Sequence, residues 1–224
     1  MIIKETVMKI DASNLTHLII DWGTSNFRAF AMNEQGNVVD EKTRPMGLLQ
    51  VEHGQFSQAL ESVLSGWISG YETLPIYMAG MVGSQQGWIN VDYVATNPVA
   101  PITTQSLADN VHLFDLPWGA KAIIVPGVSH KDEFDCFDVM RGEEVQIFGA
   151  LAVLPNKAIN AILPGTHSKH ATIIDGKLTD FSSFMTGELF SVISQHTISV
   201  ACFPSTRMLY NGEYNDSSYA NTRC

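Results

Sequence analysis

Apolar and polar residues alternate in two separate parts of the chain, and a helical pattern follows each part. Short alternation is typical of half-buried strands, whereas apolar residues at three- and four-residue spacing are typical of an amphipathic helix. Each part therefore predicts three consecutive antiparallel strands and a helix. The predicted strands lie at 19–21, 27–32 and 38–39 and at 161–163, 170–174 and around 178, and the predicted helices lie at 56–68 and 189–196.

The two parts are also similar in sequence. Gly23 and Thr24 follow the first strand of one part as Gly165 and Thr166 follow the first strand of the other, at a constant offset of 142 residues. Self-similarity at a fixed offset indicates a duplicated structural unit. The alternative is a chance similarity, because hairpin turns that contain glycine are common.

The segment between the two units predicts the elements that join them. Short apolar runs predict strands at 76–79 and 122–125, and a helix is predicted from about residue 142 to residue 153, with Val145, Phe148 and Ala152 as its core stripe. We therefore expect a first domain at 15–156 that includes this connecting helix, the start of a second domain at 157–200, and an aberrant or disordered tail at 201–224.

Composition narrows the range of functions. With 45% apolar and 16% charged residues, the chain can bury a core, which excludes disorder as the dominant state. A net charge of −10 without a basic cluster argues against nucleic acid as a partner. The apolar runs are too short for a membrane span, and residues 1–14 do not resemble a secretory leader. We expect a cytoplasmic protein whose three cysteines are reduced.

The turn after the first strand is a candidate phosphate site. Gly23 allows close approach of the backbone, consecutive turn N–H groups can surround an anion, and Thr24 and Ser25 add hydroxyl donors. Asp21 at the end of the strand would hold Mg²⁺, which prefers one or two carboxylates together with phosphate oxygens and water. The alternative is a plain hairpin turn in which Asp21 bonds its own backbone.

The corresponding turn of the second unit lacks the aspartate but keeps Gly165 and Thr166 and adds His167 and Lys169. Two such turns that face each other across a cleft would hold the triphosphate of ATP, as phosphoryl transfer requires. Lys169 would then bind phosphate or a carboxylate. The alternatives are a solvated surface lysine and a histidine that is satisfied within the sheet.

The start of the connecting helix carries a further candidate site. Glu143 and Glu144 lie in its first turn, where the helix dipole favours ionised carboxylates, so one of them is a candidate general base. Arg141 could pair with an anionic substrate. The alternative is ordinary charge complementarity at a helix terminus. The glycine-rich segment 79–88 follows a strand and is a candidate substrate loop that contains Ser84.

Six ordered blocks resemble the 2-dehydro-3-deoxygalactonokinase family, and together they cover about residues 17 to 198. The blocks are DWGTSNFRAF, AGMVGSQQGW, VPGV, VMRGEEVQIFGA, LPGTHSKH and FMTGELFSVISQH. The resemblance implies an α/β fold of the actin-like ATPase, ribonuclease-H-like class with duplicated βββαβ domains. It also implies transfer of the ATP γ-phosphate to the 6-hydroxyl of 2-dehydro-3-deoxy-D-galactonate, a small sugar acid, with Mg²⁺.

The resemblance also assigns roles to residues. Asp21, Gly23 and Thr24 match the first phosphate motif of the superfamily, Gly165 and Thr166 match the second, and segment 141–144 matches the connecting motif. That segment also resembles the glutamate-containing segment of exopolyphosphatases, which supports a catalytic carboxylate at Glu143 or Glu144. The residues expected to bind substrate are Asn26, Arg28, Ser84 and Arg141.

The end of the chain departs from the family pattern. His170 stands where the family pattern has an aromatic residue, segment 90–98 differs, and no family motif is recognisable after about residue 200. We therefore expect an incomplete second domain and little or no kinase activity. A phosphohydrolase of the exopolyphosphatase kind and a non-catalytic sugar-acid-binding remnant are the alternatives, and a homo-oligomer is compatible with the sequence.

Overall fold

A computed structural model describes residues 9–52, 54–96, 100–131, 136–154 and 158–196. Four α-helices lie in this part of the chain: α1 (Phe56–Trp67), α2 (Thr104–Ala108), α3 (Glu143–Val153) and α4 (Gly187–His196). Its strands are β1 (Ile10–Asp11), β2 (His17–Trp22), β3 (Phe27–Met32), β4 (Val38–Arg44), β5 (Ile68–Ser69), β6 (Ile76–Ala79), β7 (Val94–Thr96), β8 (His112–Asp115), β9 (Lys121–Ile124), β10 (Val128–Lys131), β11 (Phe137–Met140), β12 (Ile159–Leu163), β13 (Ser168–Ile174) and β14 (Lys177–Phe184).

The largest sheet has six strands in the order β4-β3-β2-β6-β9-β8. Strands β2, β3 and β4 pair antiparallel, whereas β6 pairs parallel with β2 and β9 pairs parallel with β6. Helix α1 connects β4 to β6 through the short strand β5, so this part of the chain is the predicted βββαβ unit. The order and directions are those of the ribonuclease-H-like unit of actin-like ATPases, which confirms the predicted fold class.

Helix α1 covers one face of this sheet. Its buried side chains recur at three- and four-residue spacing and pack on the alternate strand positions that face inward. The indole ring of Trp22 lies edge-on to the ring of Phe27, with 5.0 Å between centroids, and its Nε1–H donates to the Met46 carbonyl. The buried residues of the helix are Phe56, Leu60, Leu64 and Trp67. The helix ends at Trp67, one residue before the predicted end, because Ile68 starts a strand that pairs with β1.

The second unit begins as predicted, with the three antiparallel strands β12, β13 and β14 followed by α4. Along the chain between the two units, strands β7, β10 and β11 form a small sheet in the order β11-β10-β7, which no sequence pattern predicted. Segment 201–224, predicted to be an aberrant or disordered tail, lies outside the described residues. Within the described ranges, no helix combines the length and the apolar character that a membrane crossing needs.

The connecting helix α3 packs with the second unit. Its buried residues share one apolar cluster with β10, β11, β13 and β14, separate from the cluster under α1. Residues before 156 therefore contribute to both cores, and the boundary at 156 stays a prediction. The predicted core stripe is wrong in two of its three positions, since Ala152 is exposed and Val145 is only partly buried. The buried residues of the helix are Glu144, Ile147, Phe148 and Leu151.

Candidate active site

The first predicted phosphate turn is the four-residue connection between β2 and β3. Trp22 and Phe27 form the last strand pair beside it, and the Gly23 N–H donates to the Asn26 carbonyl over 2.9 Å. Residues 24–26 are exposed. The turn is thus closed by its own backbone, and its polar residues lie in contact with solvent.

The segment after β4 supports this turn. The Gly47 N–H donates to the Ser25 carbonyl over 3.2 Å, and the Leu48 N–H donates to the Gly23 carbonyl over 2.9 Å. A Cβ atom at position 47 would lie 2.2 Å from the Thr24 carbonyl oxygen, so only glycine fits there. The backbone N–H groups of Thr24 and Ser25 donate to no acceptor among the described residues. Free N–H groups on a tight turn are what an anion-binding site needs.

The second turn is supported in the same way. The Gly187 N–H donates to the Gly165 carbonyl over 3.2 Å, and the Glu188 N–H donates to the Thr166 carbonyl over 3.1 Å. A Cβ atom at position 187 would lie 2.6 Å from the Gly165 oxygen. In the part of the chain that the structure describes, the N–H groups of Thr166 and His167 have no acceptor. The duplication therefore includes a supporting glycine for each turn. That the two turns face each other stays a prediction.

Asp21 lies at the end of β2, opposite Arg28 of β3. Its Oδ2 accepts a hydrogen bond from Arg28 Nη2 over 2.5 Å, and its side chain is 32% exposed. The other carboxylate oxygen, Oδ1, has no partner among the described residues and would lie 3.3 Å from a Cβ atom at Gly80. Asp21 thus has one oxygen that is paired with a cation and one that is available.

The start of α3 meets the ends of β2 and β6 at the same edge of the sheet. Gly80 follows β6 with a φ of 94°, and a Cβ atom there would lie 2.8 Å from the Trp22 carbonyl oxygen. Gly142 precedes α3 with a φ of 110°, and a Cβ atom there would lie 3.3 Å from the Gly80 Cα. Both backbones need glycine at this approach. The structure therefore places Asp21, at the end of β2, in the same region as the predicted catalytic segment 141–144.

The two glutamates at the start of α3 differ sharply in environment. Glu144 is fully buried, and both of its carboxyl oxygens accept from the Gly142 N–H, at 2.8 and 2.7 Å. Burial raises the pKa of Glu144 to about 8, although this N–H and the nearby Arg141 charge favour ionisation. Glu143 is partly buried, and its Oε2 accepts from the Arg141 N–H over 3.1 Å. The expectation that the helix dipole keeps this turn ionised is wrong for Glu144, because desolvation is the larger effect.

The predicted substrate-binding residues fall into two groups. Asn26 and Arg28 belong to the first turn and the strand after it, beside Asp21, and both are exposed. Ser84 and Arg141 are buried around the loop after β6. Ser84 Oγ donates to the Met81 carbonyl over 2.7 Å, which commits this hydroxyl proton within the loop.

Lys169 and His167 are engaged with protein groups. The Lys169 side chain is 9% exposed, and its Nζ donates to the Val139 carbonyl and to Ser183 Oγ, with Asp138 Oδ1 at 3.7 Å. The alternative of a solvated surface lysine is therefore wrong. Its amine joins β13 and β14 to β11, and a phosphate role for Lys169 stays a prediction. His167 Nε2 lies 2.7 Å from Glu188 Oε2 at a half-exposed position beside the second turn.

Sequence comparison decides the family. The sequence profile described as 2-keto-3-deoxy-galactonokinase matches residues 21–215. The chain belongs to this family. The match includes both turns and the connecting segment and continues past residue 200, where the sequence analysis recognised no motif. The resemblance stated from the six blocks is thereby confirmed.

Individual relatives agree with the family assignment. A probable 2-dehydro-3-deoxygalactonokinase from Rhizobium meliloti (strain 1021) is 37% identical over 80% of this chain and 56% of its own length. The 2-dehydro-3-deoxygalactonokinase of Escherichia coli (strain K12) is 31% identical over 84% of this chain and 60% of its own length. A Sinorhizobium meliloti crystal structure, provisionally given the same enzyme name, superposes with a TM-score of 0.73 at 35% identity, over 83% of this chain and 59% of that one. The chain thus spans less than two thirds of the length of these relatives.

Proposed function

We propose that this chain belongs to a kinase that transfers the ATP γ-phosphate to the 6-hydroxyl of 2-dehydro-3-deoxy-D-galactonate in the cytoplasm. The observation that carries the proposal is the meeting of three segments at one sheet edge: the Asp21 turn, Gly80 after β6, and Gly142 before α3. Family membership supports the substrate, because the two named relatives carry that enzyme name. The proposal joins a phosphate site and a catalytic carboxylate in one place.

The two turns are proposed to bind the phosphates of ATP. The free backbone N–H groups of Thr24 and Ser25 and those of Thr166 and His167 are the donors. The segments that contain Gly47 and Gly187 already donate to the Gly23 and Ser25 carbonyls of the first turn and to the Gly165 and Thr166 carbonyls of the second, so anion binding would not disturb these bonds. Preorganised donors of this kind stabilise phosphate charge without reorganising during the reaction.

Asp21 is proposed to hold Mg²⁺ through Oδ1, the oxygen that Arg28 leaves unpaired. Within the described ranges, no group of three or more His, Cys, Asp or Glu side chains is placed to hold a metal ion. A single carboxylate with phosphate oxygens and water suits Mg²⁺, which retains several of its waters. When bound, Mg²⁺ neutralises charge on the transferring phosphoryl group. Arg28 keeps Asp21 Oδ2 oriented.

Glu143 is proposed as the general base and Glu144 as its support. Glu143 is only partly buried and has one carboxylate oxygen without a hydrogen bond, so it can accept the proton of a sugar hydroxyl. Glu144 is enclosed and holds the Gly142 N–H with both oxygens, which fixes the turn that presents Glu143. The more accessible carboxylate therefore favours Glu143 over Glu144 as the general base. Asn26 and Ser84 are proposed to line the substrate side.

The test measures Mg²⁺-dependent ATP binding by calorimetry and ADP release with and without the sugar acid. We expect Asp21→Asn to weaken Mg·ATP binding by roughly tenfold, about 1.4 kcal/mol. The matched control is Asp115→Asn, which removes an exposed carboxylate of β8 that pairs with Lys121 at 2.5 Å. Glu143→Gln should keep Mg·ATP binding and lose turnover.

Each result separates the proposal from an alternative. ADP release that needs the sugar acid supports the kinase, whereas equal release without it supports a phosphohydrolase. Absence of Mg²⁺-dependent ATP binding by the wild-type chain would overturn the proposal and favour a binding remnant. The same assay tests the expectation from the sequence that this 224-residue chain has little or no kinase activity, because ADP release that needs the sugar acid would contradict that expectation.

A further inference from the structure

The guanidinium of Arg141 is buried and forms no ion pair within the described residues, although its charge acts on the nearby Glu144 carboxyl. Arg141 is 8% exposed, and its Nη2 donates to the Val91 carbonyl over 2.7 Å. Its Nε and Nη1 are enclosed and have no hydrogen-bond acceptor. In the described part of the chain, no carboxylate lies at ion-pair distance from this guanidinium. Arginine stays charged at all ordinary pH values, and an enclosed charge with unused donors is costly unless a ligand pairs with it.

Uncharged neighbours hold this guanidinium in place. Its Cζ lies 4.2 Å from the centroid of the Tyr93 ring. Gly83 leaves the room that Nη1 occupies, since a Cβ atom there would lie 2.9 Å from that nitrogen. The Tyr93 ring in turn rests on Gly127, where a Cβ atom would lie 2.7 Å from a ring atom. The side chain is therefore preorganised, with its orientation fixed before any ligand arrives.

The guanidinium also lies beside the proposed reaction centre. Arg141 directly precedes Gly142, which approaches the Gly80 backbone at the Asp21 edge. Tyr93, which stacks on the guanidinium, is 40% exposed, so the unused donors lie beneath a partly exposed side chain. A ligand bound here would have its other end free to reach the start of α3.

We propose that Arg141 binds the carboxylate of the sugar acid and that Tyr93 is the positioning residue for it. This inference rests on the proposed function for the identity of the acid. The carboxylate accepts hydrogen bonds from the unused N–H groups of Nε and Nη1, which charge makes stronger than neutral ones. In 2-dehydro-3-deoxy-D-galactonate the carboxylate and the 6-hydroxyl are at opposite ends of the carbon chain. Binding one end at Arg141 directs the other towards Glu143.

The experiment compares two probes by titration calorimetry: the sugar acid and its uncharged primary amide. We expect the wild-type chain to bind the acid about tenfold more tightly than the amide. Arg141→Met removes the charge at similar length and should reduce this ratio to near one. Tyr93→Leu should lower the ratio several-fold, whereas Tyr93→Phe keeps the ring and should preserve it. Circular dichroism establishes that each variant is folded.

The outcomes distinguish this inference from the kinase proposal. An unchanged acid-to-amide ratio in folded Arg141→Met, or a wild-type chain that binds both probes equally, overturns the inference even if Mg·ATP binding and turnover are normal. If Arg141→Met does not fold, Tyr93→Leu and Tyr93→Phe decide, because equal ratios in these two variants contradict the positioning role. Selective acid binding without ATP binding supports the carboxylate site and refutes the kinase.

Discussion

Glu144→Gln is the substitution that probes the buried start of α3 most sharply. The wild-type carboxyl is fully buried, and burial raises its pKa from 4.5 to about 8. Glutamine is a neutral residue of nearly the same shape, and its carbonyl oxygen can accept from the Gly142 N–H as the carboxyl does. The substitution therefore replaces a titratable carboxyl with a side chain that does not titrate, at nearly constant packing.

The size of the effect follows from proton linkage. Between pH 4.5 and about 8 the native chain holds a proton on Glu144 that the unfolded chain has released. The protonated Glu144 therefore contributes its full stability at pH values below its unfolded-state pKa of 4.5. This stability is lost as pH rises through its native-state pKa of about 8. The full pKa difference corresponds to about 5 kcal/mol, and about 3 kcal/mol of it falls between pH 5 and pH 8. Because glutamine does not titrate, the variant should lack this loss.

Urea unfolding followed by tryptophan fluorescence at several pH values measures the difference. The variant should gain stability relative to the wild type by a few kcal/mol as pH rises from 5 to 8. Glu143→Gln serves as the control, in which most of the wild-type slope should remain, because burial raises the pKa of Glu144 more than the Glu143 charge does. Parallel stability curves for wild type and Glu144→Gln would refute the assignment of a buried, protonated carboxyl at this position.

Four further substitutions test the structure around the site and in the two cores. Gly47→Ala should destabilise the protein by a few kcal/mol in urea unfolding, because the new methyl group overlaps the first turn; Gly66→Ala, which meets nothing within 4 Å in α1, should stabilise it by up to about 1 kcal/mol. Phe181→Ala should cost about 3–5 kcal/mol in the second core, measured by the same unfolding assay. Trp67→Phe removes the hydrogen bond that chiefly lowers the pKa of Asp40, so an NMR titration should show that pKa rising.

The sequence predicted the parts of the fold that depend on local spacing. Alternation predicted the two strands that contain Asp21 and Arg28 and the turn between them, and the structure places these two residues opposite each other in β2 and β3. The same pattern predicted the second set of strands and the glycines of both turns. The supporting glycines, Gly47 and Gly187, carried no such signal, since each is required only by a backbone that approaches from elsewhere in the chain.

The sequence did not predict the contacts of groups whose surroundings come from distant parts of the chain. Lys169 is adjacent to the second turn in sequence, yet its amine bonds Val139, 30 residues away. Arg141 donates to Val91, 50 residues away. For Glu144, the position in a first helical turn was visible, but its burial was not, and burial reversed the expected charge state. Local pattern therefore located the candidate site, whereas tertiary packing determined the state of its charged groups.

In the proposed complex, both turns bind a single nucleotide phosphate chain and Asp21 binds the metal ion. Titration of the isotope-labelled chain with Mn²⁺·ATP tests this arrangement, because the paramagnetic ion broadens the amide NMR signals of residues near it. We expect the signals of Thr24, Ser25, Thr166 and His167 to broaden together, and Asp21→Asn to require about tenfold more Mn²⁺·ATP for the same broadening. Broadening confined to one turn, or unchanged broadening in Asp21→Asn, would contradict it.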